Sequence, residues 1–212
     1  CRQARIMYSM TERRALQRDA LREVANIGAG HAATALSQLV NRRIMISVPE
    51  VNITRLEEVP EILGSADEVV AAVLMHMMGD LTGRTLVLFP EPCARTLCDI
   101  LLRRPPGTTT AFSEMEQSGL KEVGNILSSA YMNALSDFMG MMLVPSVPSL
   151  SIDMMGAVLT SIYMNFGYDR DYVFCVETQF LFEDPGLRLR GHFLLLPDLA
   201  SLRAIFDAIR LG

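Results

Sequence analysis

Two short segments, one in each half of the chain, carry the residues whose types and spacing could do chemistry. The first holds Glu23 and Asn26 and the second holds Glu122 and Asn125, so the two pairs share one spacing and lie 99 residues apart. A carboxylate supplies negative charge. A carboxamide is not a base near neutral pH, but its oxygen and its NH₂ group can hold a water molecule. A buried helix face needs neither group, so the recurrence indicates a function for both pairs.

The same offset of 99 residues extends to the residues around the two pairs. Asp19 and Ser118 precede the pairs, and Pro49 and Pro148 follow them. Solvated positions drift freely after a duplication, so residues that keep both type and spacing are unlike ordinary surface. A proline alone is weaker evidence, because it can also close the edge of a strand. The pattern indicates an internal duplication that has retained one motif in each copy.

The duplication divides the chain into two repeats, which we predict at about 11–102 and 112–210 within a single domain over 1–212. In the first repeat, periodicity predicts a helix, a strand, two strands joined by a turn and a closing helix, at 11–40, 43–51, 69–90 and 90–102. In the second repeat the pattern predicts the same order of elements, at 113–138, 142–150, 172–196 and 198–210, with one helix added at 152–166. Thr11 and Ser113 are the predicted N-caps of the two long helices, and Glu116 completes a capping box with Ser113.

This order of elements predicts an α+β fold with pseudo-twofold symmetry. Each unit is helix–strand–strand–strand–helix, the sheet is mainly antiparallel, and the two long helices carry the motifs. On a helical wheel the motif residues of each helix share one arc of about 60°, away from the apolar face. We therefore expect the Glu and Asn side chains to be exposed. The apolar faces predicted to be buried consist of Leu21, Val24, Ile27, Ala35 and Leu39 in the first helix and Leu120, Val123, Ile126, Ala134 and Phe138 in the second.

Two glycines lie within the first of these helices, where glycine costs close to 1 kcal/mol relative to alanine. Gly28 falls on the core side of the wheel, and close approach of another element would explain it. Gly30 falls on the polar arc one turn after Asn26, and close approach of a partner molecule would explain it. The second repeat has Ser129, another small residue, at the position equivalent to Gly30.

Composition excludes several classes of function. The formal net charge is −5, and the Arg doublets at 13–14, 42–43 and 103–104 are isolated along the chain, which argues against a nucleic-acid or anionic-membrane surface. The four cysteines form no CxxC and have no histidine at metal-ligand spacing, so we expect no metal site. No apolar run reaches membrane-spanning length. We expect a cytoplasmic protein in a reducing setting.

The motif Asp/Ser-x₃-Glu-x₂-Asn, with proline twenty-three residues after the Asn, resembles the CheC family of chemotaxis phosphatases. That family includes CheC, CheX and the phosphatase domain of the flagellar switch protein FliY. The resemblance covers nearly the whole chain. Two complete motifs in one chain are more similar to CheC than to CheX, which resembles a single-site protomer that dimerises. The resemblance therefore implies a monomer with two sites.

The resemblance also implies an activity, which is hydrolysis of the aspartyl phosphate on CheY, the response regulator of chemotactic two-component signalling. Asn26 and Asn125 would position the attacking water, and Glu23 and Glu122 would dock the regulator. Positioning and electrostatics dominate phosphoryl transfer, so these residue types suit the reaction. The supporting motif residues would be Asp19, Pro49, Ser118 and Pro148. The chain would bind no cofactor itself, and Mg²⁺ is expected in the CheY substrate.

A second partner implied by the resemblance is CheD, a receptor deamidase that stimulates the phosphatase. Asp153 corresponds to an acidic position implicated in that contact, although Asp153 could equally be a helix N-cap. Two alternative functions stay open at this point, and one of them is a protein that sequesters CheD and whose catalysis is vestigial. The chain could also be a non-catalytic docking or adaptor protein that binds CheY or CheD in the chemotaxis or flagellar-switch system.

Overall fold

The computed structural model describes the backbone of residues 2–48, 50–166, 172–182 and 187–211, and the side chains of these ranges apart from 2–17, 165–166 and 210–211. Pro49, one of the two motif prolines, lies outside the described residues. In chain order the elements are α1 Arg2–Val40, β1 Ile44–Ser47, β2 Val51–Thr54, a 3₁₀ helix Leu56–Glu58, α2 Val59–Leu63, β3 Val69–Gly79, β4 Gly83–Pro90, α3 Glu91–Leu101, α4 Glu114–Met139, β5 Leu143–Pro145, β6 Ser149–Met154, α5 Met155–Phe166, β7 Val173–Phe182, β8 Arg188–Pro197 and α6 Leu199–Leu211.

The strands form one sheet in which every pairing is antiparallel. The order across the sheet is β1–β7–β8–β4–β3–β5, with β2 also paired to β7 and β6 also paired to β3. Strands β4 and β8 meet at the centre, with Leu86 opposite Leu194. Outward from β4, the next strands are β3 of the same repeat and then β5 and β6 of the other repeat. Outward from β8, the next strands are β7 of the same repeat and then β1 and β2 of the other repeat. The predicted α+β fold with a duplicated unit and an antiparallel sheet is confirmed.

Both faces of the sheet are buried, because helices cover each of them. On β4, Val87 and Phe89 face the cluster formed with α1, α3, α4 and α6, while Leu86 and Leu88 face the cluster formed with α2 and α5. Strand side chains alternate between the faces, so a strand covered on both sides needs apolar residues at nearly every position. This explains the apolar runs at 69–75 in β3, 86–90 in β4 and 193–197 in β8.

The two long helices pack against each other where α1 carries a glycine. A Cβ added to Gly28 would lie 2.7 Å from Cδ1 of Tyr131 in α4. Tyr131 is buried, its ring stacks on Phe193 with a centroid distance of 4.4 Å, and its hydroxyl lies 3.1 Å from Oγ1 of Thr178. The predicted close approach at Gly28 is confirmed. This contact holds the two motif-bearing helices in a fixed relation over the centre of the sheet.

Several predicted element bounds are wrong for identifiable reasons. Helix α1 begins at Arg2, so Thr11 lies inside it rather than at its N-cap, since no Pro or Gly interrupts residues 2–27. The predicted strands 43–51 and 142–150 are each two strands, β1 and β2 in the first repeat and β5 and β6 in the second. Helix α5 begins at Met155, because the preceding residues continue the β3–β6 ladder.

The predicted start of α4 is confirmed. Ser113 is its N-cap, and the Glu116 carboxylate accepts a hydrogen bond from the Ser113 backbone N–H at 3.1 Å. The linker before it is held in place by Asp99, a buried residue of α3. The Asp99 carboxylate accepts backbone hydrogen bonds from Gly107, Thr108 and Thr109 at 2.8, 3.2 and 2.8 Å. None of the helices in the described part of the chain has the length and apolar character needed to cross a membrane.

Candidate functional site

The first motif lies on the solvent face of α1. Asp19, Glu23 and Asn26 are all exposed, as predicted from the helical wheel. Asn26 makes no side-chain hydrogen bond to any residue that the structure describes. Gly30, one turn further along, has no atom within 4 Å of a built Cβ. The face therefore presents an amide, two carboxylates and an open position beside the amide to whatever molecule approaches it.

The second motif lies in the same way on α4, with one local difference. Ser118 and Glu122 are exposed as predicted, but Asn125 is half-buried, so the prediction of an exposed side chain is wrong for this amide. The Ser129 hydroxyl donates to Oδ1 of Asn125 over a long distance of 3.5 Å. A serine hydroxyl therefore occupies the space beside Asn125 that Gly30 leaves open beside Asn26.

The strands that follow each long helix return alongside it toward the motif. In the first repeat, the Ile44 N–H donates to Oγ of Ser37 at 2.9 Å, which fixes the beginning of β1 beside the end of α1. At the other end, a cleft of about 140 Å³ is lined by Arg18, Asp19, Arg22, Glu50 and Val51. The chain that follows Pro49 thus lies beside the first motif residue. In the second repeat β5 and β6 pack against α4, and Pro148 is half-buried.

The predicted apolar faces of the two helices are right only in part. Leu21 and Val24 are buried as predicted. Ile27 and Leu39 in α1 are exposed instead, and so is Phe138 in α4. Helix α1 packs against α4 through small residues such as Gly28, so the buried side of α1 is centred on those residues. As a result Ile27 lies next to Asn26 on the solvent side.

Arginines from two doublets that are distant in sequence line a second, larger cleft. Arg42, Arg103 and Arg104 surround a space of about 390 Å³ between the ends of α1 and α3. The doublets at 42–43 and 103–104 are therefore not isolated in space, although they are isolated in sequence. Arg104 forms an ion pair with the buried Glu116, so part of this charge serves the capping box of α4. Sequence reasoning missed the cleft because it depends on tertiary contacts.

Two further predicted features can be located. Asp153 is exposed on the edge strand β6, opposite Val70, and is not a helix N-cap. No three His, Cys, Asp or Glu side chains are placed to share a metal ion within the part of the chain that the structure describes. The arrangement at each motif can therefore orient a small molecule through an amide and attract a cation through a carboxylate.

Comparison with known proteins identifies relatives of this chain. The sequence model of the CheC-like family matches residues 16–53 and again residues 115–152, so the second match begins and ends 99 residues after the first. All eight motif positions fall inside these ranges. The CheY-P phosphatase CheC of Bacillus subtilis is 37% identical over 195 residues, which cover 91% of this chain and 93% of that relative.

Solved structures with the same fold include a FliY protein and a FliM middle domain. The crystal structure of Thermotoga maritima FliY matches with a TM-score of 0.72 and 20% identity, covering 92% of this chain and 96% of that one. The FliM middle domain from H. pylori matches with a TM-score of 0.66 and 14% identity, covering 91% and 97%. At these identities the likeness concerns the fold alone.

Proposed function

The chain belongs to the CheC-like family, and on that premise we propose that it is a phosphatase of phosphorylated CheY with two active sites. The observation that carries the proposal is the repeated display of one Glu and one Asn on the solvent faces of α1 and α4. Both pairs lie inside the ranges that match the family. Exposure is what a phosphatase of another protein requires, because the reacting phosphate arrives on the surface of its carrier.

In the proposed reaction, Asn26 or Asn125 holds a water molecule through its amide and directs it in line at the phosphorus atom. The water oxygen bonds to phosphorus, the bond from phosphorus to the aspartate oxygen breaks, and the products are phosphate and a free aspartate. The amide does not act as a base, since a carboxamide does not accept a proton near neutral pH. Alignment of the water and compensation of charge lower the barrier. The Mg²⁺ that offsets the phosphate charge belongs to CheY.

Glu23 and Glu122 have a separate role in this proposal. Each precedes its Asn by three residues, which places the two side chains on neighbouring turns of one helix face. We propose that each carboxylate pairs with a basic side chain of CheY and fixes the pose in which the phosphate meets the amide. Asp19 and Ser118, one turn earlier, extend the same contact, and the prolines shape the strands beside it.

The proposal is tested by replacing both amides. The variant Asn26→Ala/Asn125→Ala removes the water ligands but leaves both carboxylates, so we expect phosphate release to fall to the rate of CheY alone. Binding of CheY carrying beryllium fluoride in place of phosphate should stay within about threefold, because the carboxylates carry the docking. The matched control is Asn133→Ala, which removes an exposed amide of α4 outside the motif and should leave release unchanged.

The adaptor alternative predicts a different result. If the unaltered protein binds CheY but does not accelerate phosphate release, the chain is a docking protein. If release continues unchanged in the double variant, the chain is a phosphatase but the role of the amides is wrong.

We extend the proposal to CheD as a second partner at Asp153. The Asp153 carboxylate is exposed and accepts a hydrogen bond from the neighbouring Met154 N–H at 2.8 Å. The helix that follows, α5, exposes Met164 to 78%, so an apolar side chain also faces solvent on the element after β6. Adding CheD to the release assay tests this contact. Asp153→Asn should lose the stimulation by CheD, and a full stimulation in that variant would overturn the assignment.

A further inference from the structure

The two sites carry the same motif, but their apolar surroundings differ at equivalent positions. Ile27 is 48% exposed beside Asn26, whereas its equivalent Ile126 is partly buried and packs on the core. The reverse holds for the residue before the motif proline. Val147 is 87% exposed, whereas its equivalent Val48 is buried at 4%. Each site therefore exposes one branched apolar side chain, and the two come from different elements.

By sequence and strand length, both exposed side chains lie within about one helical turn of the amide of their own site. Ile27 follows Asn26 directly on α1. The position of the residue before the motif proline can be estimated in the first repeat from β1, which begins beside Ser37 and runs back along α1. The four residues from Ile44 to Val48 span about 13 Å, which corresponds to about nine residues of helix, and this leads from Ser37 back to about residue 28. Applied to the second repeat, the same estimate places Val147 level with about residue 127, within one helical turn of Asn125.

The turn that carries Val147 is held by hydrogen bonds and is not a loose loop. Ser146 donates its backbone N–H to the His76 carbonyl at 3.0 Å, and the His76 N–H donates to the Ser146 hydroxyl at 2.9 Å. These bonds tie the turn between β5 and β6 to strand β3. Val147 is therefore presented to solvent in a fixed position. A fixed, exposed branched side chain beside a motif suits contact with a protein surface, since little conformational freedom is lost on binding.

We propose that the two sites hold the receiver domain of the phosphorylated regulator through different apolar contacts, Ile27 in the first site and Val147 in the second. This inference rests on the proposed phosphatase function. Both sites carry the same Glu and Asn, while the apolar contacts make their docking surfaces unequal. The two sites consequently bind the receiver in poses that differ beside the phosphate, and a substitution on the receiver surface can weaken one site without weakening the other.

The duplication allows the two contacts to be tested one at a time. Asn125→Ala leaves the first motif as the only complete one, and Asn26→Ala leaves the second. In the Asn125→Ala protein, Ile27→Asp should raise the KM for the phosphorylated regulator roughly tenfold with kcat nearly unchanged, because burial of the side chain is lost in docking. Val147→Asp should change that KM less than twofold. In the Asn26→Ala protein the two effects should exchange.

Ile62→Asp supplies the matched control in both proteins. Ile62 is 40% exposed on α2, on the opposite side of the sheet, and its replacement should leave both KM values unchanged. Equal effects of Val147→Asp in the two single-site proteins, or no effect in either, would overturn the inference. If neither single-site protein releases phosphate while the unaltered protein also fails, the proposed function has failed instead. Unfolding temperatures of the variants show that a raised KM does not come from loss of the fold.

Discussion

Gly28 and Gly30 lie two residues apart in α1 and meet opposite surroundings. A Cβ on Gly28 would lie 2.7 Å from Cδ1 and 3.0 Å from Cα of Tyr131, and the second of these atoms is backbone that cannot move alone. A Cβ on Gly30 would meet nothing within 4 Å. Both residues are helical, so alanine is compatible with either backbone conformation. Packing therefore requires glycine at position 28. At position 30 glycine only lowers helix propensity.

Substitution by alanine should therefore have opposite effects at the two glycines. Gly28→Ala should lower the free energy of unfolding by about 1–3 kcal/mol, because the methyl group forces α1 and α4 apart. Gly30→Ala should raise it by up to about 1 kcal/mol through helix propensity. Urea unfolding followed by circular dichroism measures both changes. Equal stabilities for the Gly28→Ala variant and the parent would show that the helices are not in close contact in solution.

At the scale of residues, the sequence predicted exposure well and packing direction poorly. The exposure of Glu23 and Asn26 follows from helical geometry, and so does the close approach at Gly28. The exposure of Ile27 could not be predicted, since an apolar residue at the border of a wheel can turn either way. The position of the partner helix decides its side, and that position depends on residues about a hundred positions away. The roles of the motif residues remain predictions that the proposed assays test.

At the scale of elements, the beginning of α4 depends on a buried carboxylate. Glu116 is 3% exposed and caps the Ser113 N–H. Hydrogen bonding from the Ser113 side chain, followed by that from Arg104, lowers the pKa of Glu116 from 4.5 to about 2. Arg104 belongs to the linker between the repeats. The start of the second motif-bearing helix is therefore tied electrostatically to the chain that precedes it.

This lowered pKa predicts how stability depends on pH. The unfolded chain binds a proton at Glu116 at a higher pH than the folded chain does. The stabilisation is therefore complete above about pH 4.5 and is lost as the pH falls toward 2. Glu116→Gln should be less stable than the parent at pH 6, and the difference should shrink steadily below pH 4.5. Urea unfolding at several pH values measures this difference. Glu114→Gln, an exposed position of the same helix, is the control, and a constant difference for Glu116→Gln would contradict the prediction.

Element type was more predictable than element ends. The capping box at Ser113 fixes the start of α4 because two side-chain bonds favour one boundary. Thr11 looked like a similar start, but no breaker precedes it and α1 runs on to Arg2. Asp153 looked like an N-cap, but strand pairing with β3 continues through it. In both cases a residue of a type suited to an N-cap lies inside a longer element, and the residue type alone does not show this.

At the scale of the whole molecule, the sheet joins the two repeats by exchange of strands. Strands β1 and β2 of the first repeat pair with β7 of the second, and β5 and β6 of the second pair with β3 of the first. The repeat in sequence was readable from motif spacing, but the exchange was not, since each copy could equally have closed its own sheet. A consequence is that α4 packs against β3 and β4 of the first repeat as well as against β5 and β6 of its own repeat.

This exchange predicts that the repeats unfold together as the single domain expected from the sequence. Leu88 in β4 and Leu194 in β8 come from different repeats, and both are fully buried in the same cluster. Replacing either by Ala should lower the free energy of unfolding by about 2–5 kcal/mol. Because the strands of each repeat pair with strands of the other, either variant should lower the temperature of one common unfolding transition. In that transition the calorimetric and van't Hoff enthalpies should be equal. Leu199→Ala, at an exposed position of α6, should shift it little. Two separate transitions, each sensitive to only one of the buried leucines, would show that the halves are independent and that loss of one site need not disturb the other.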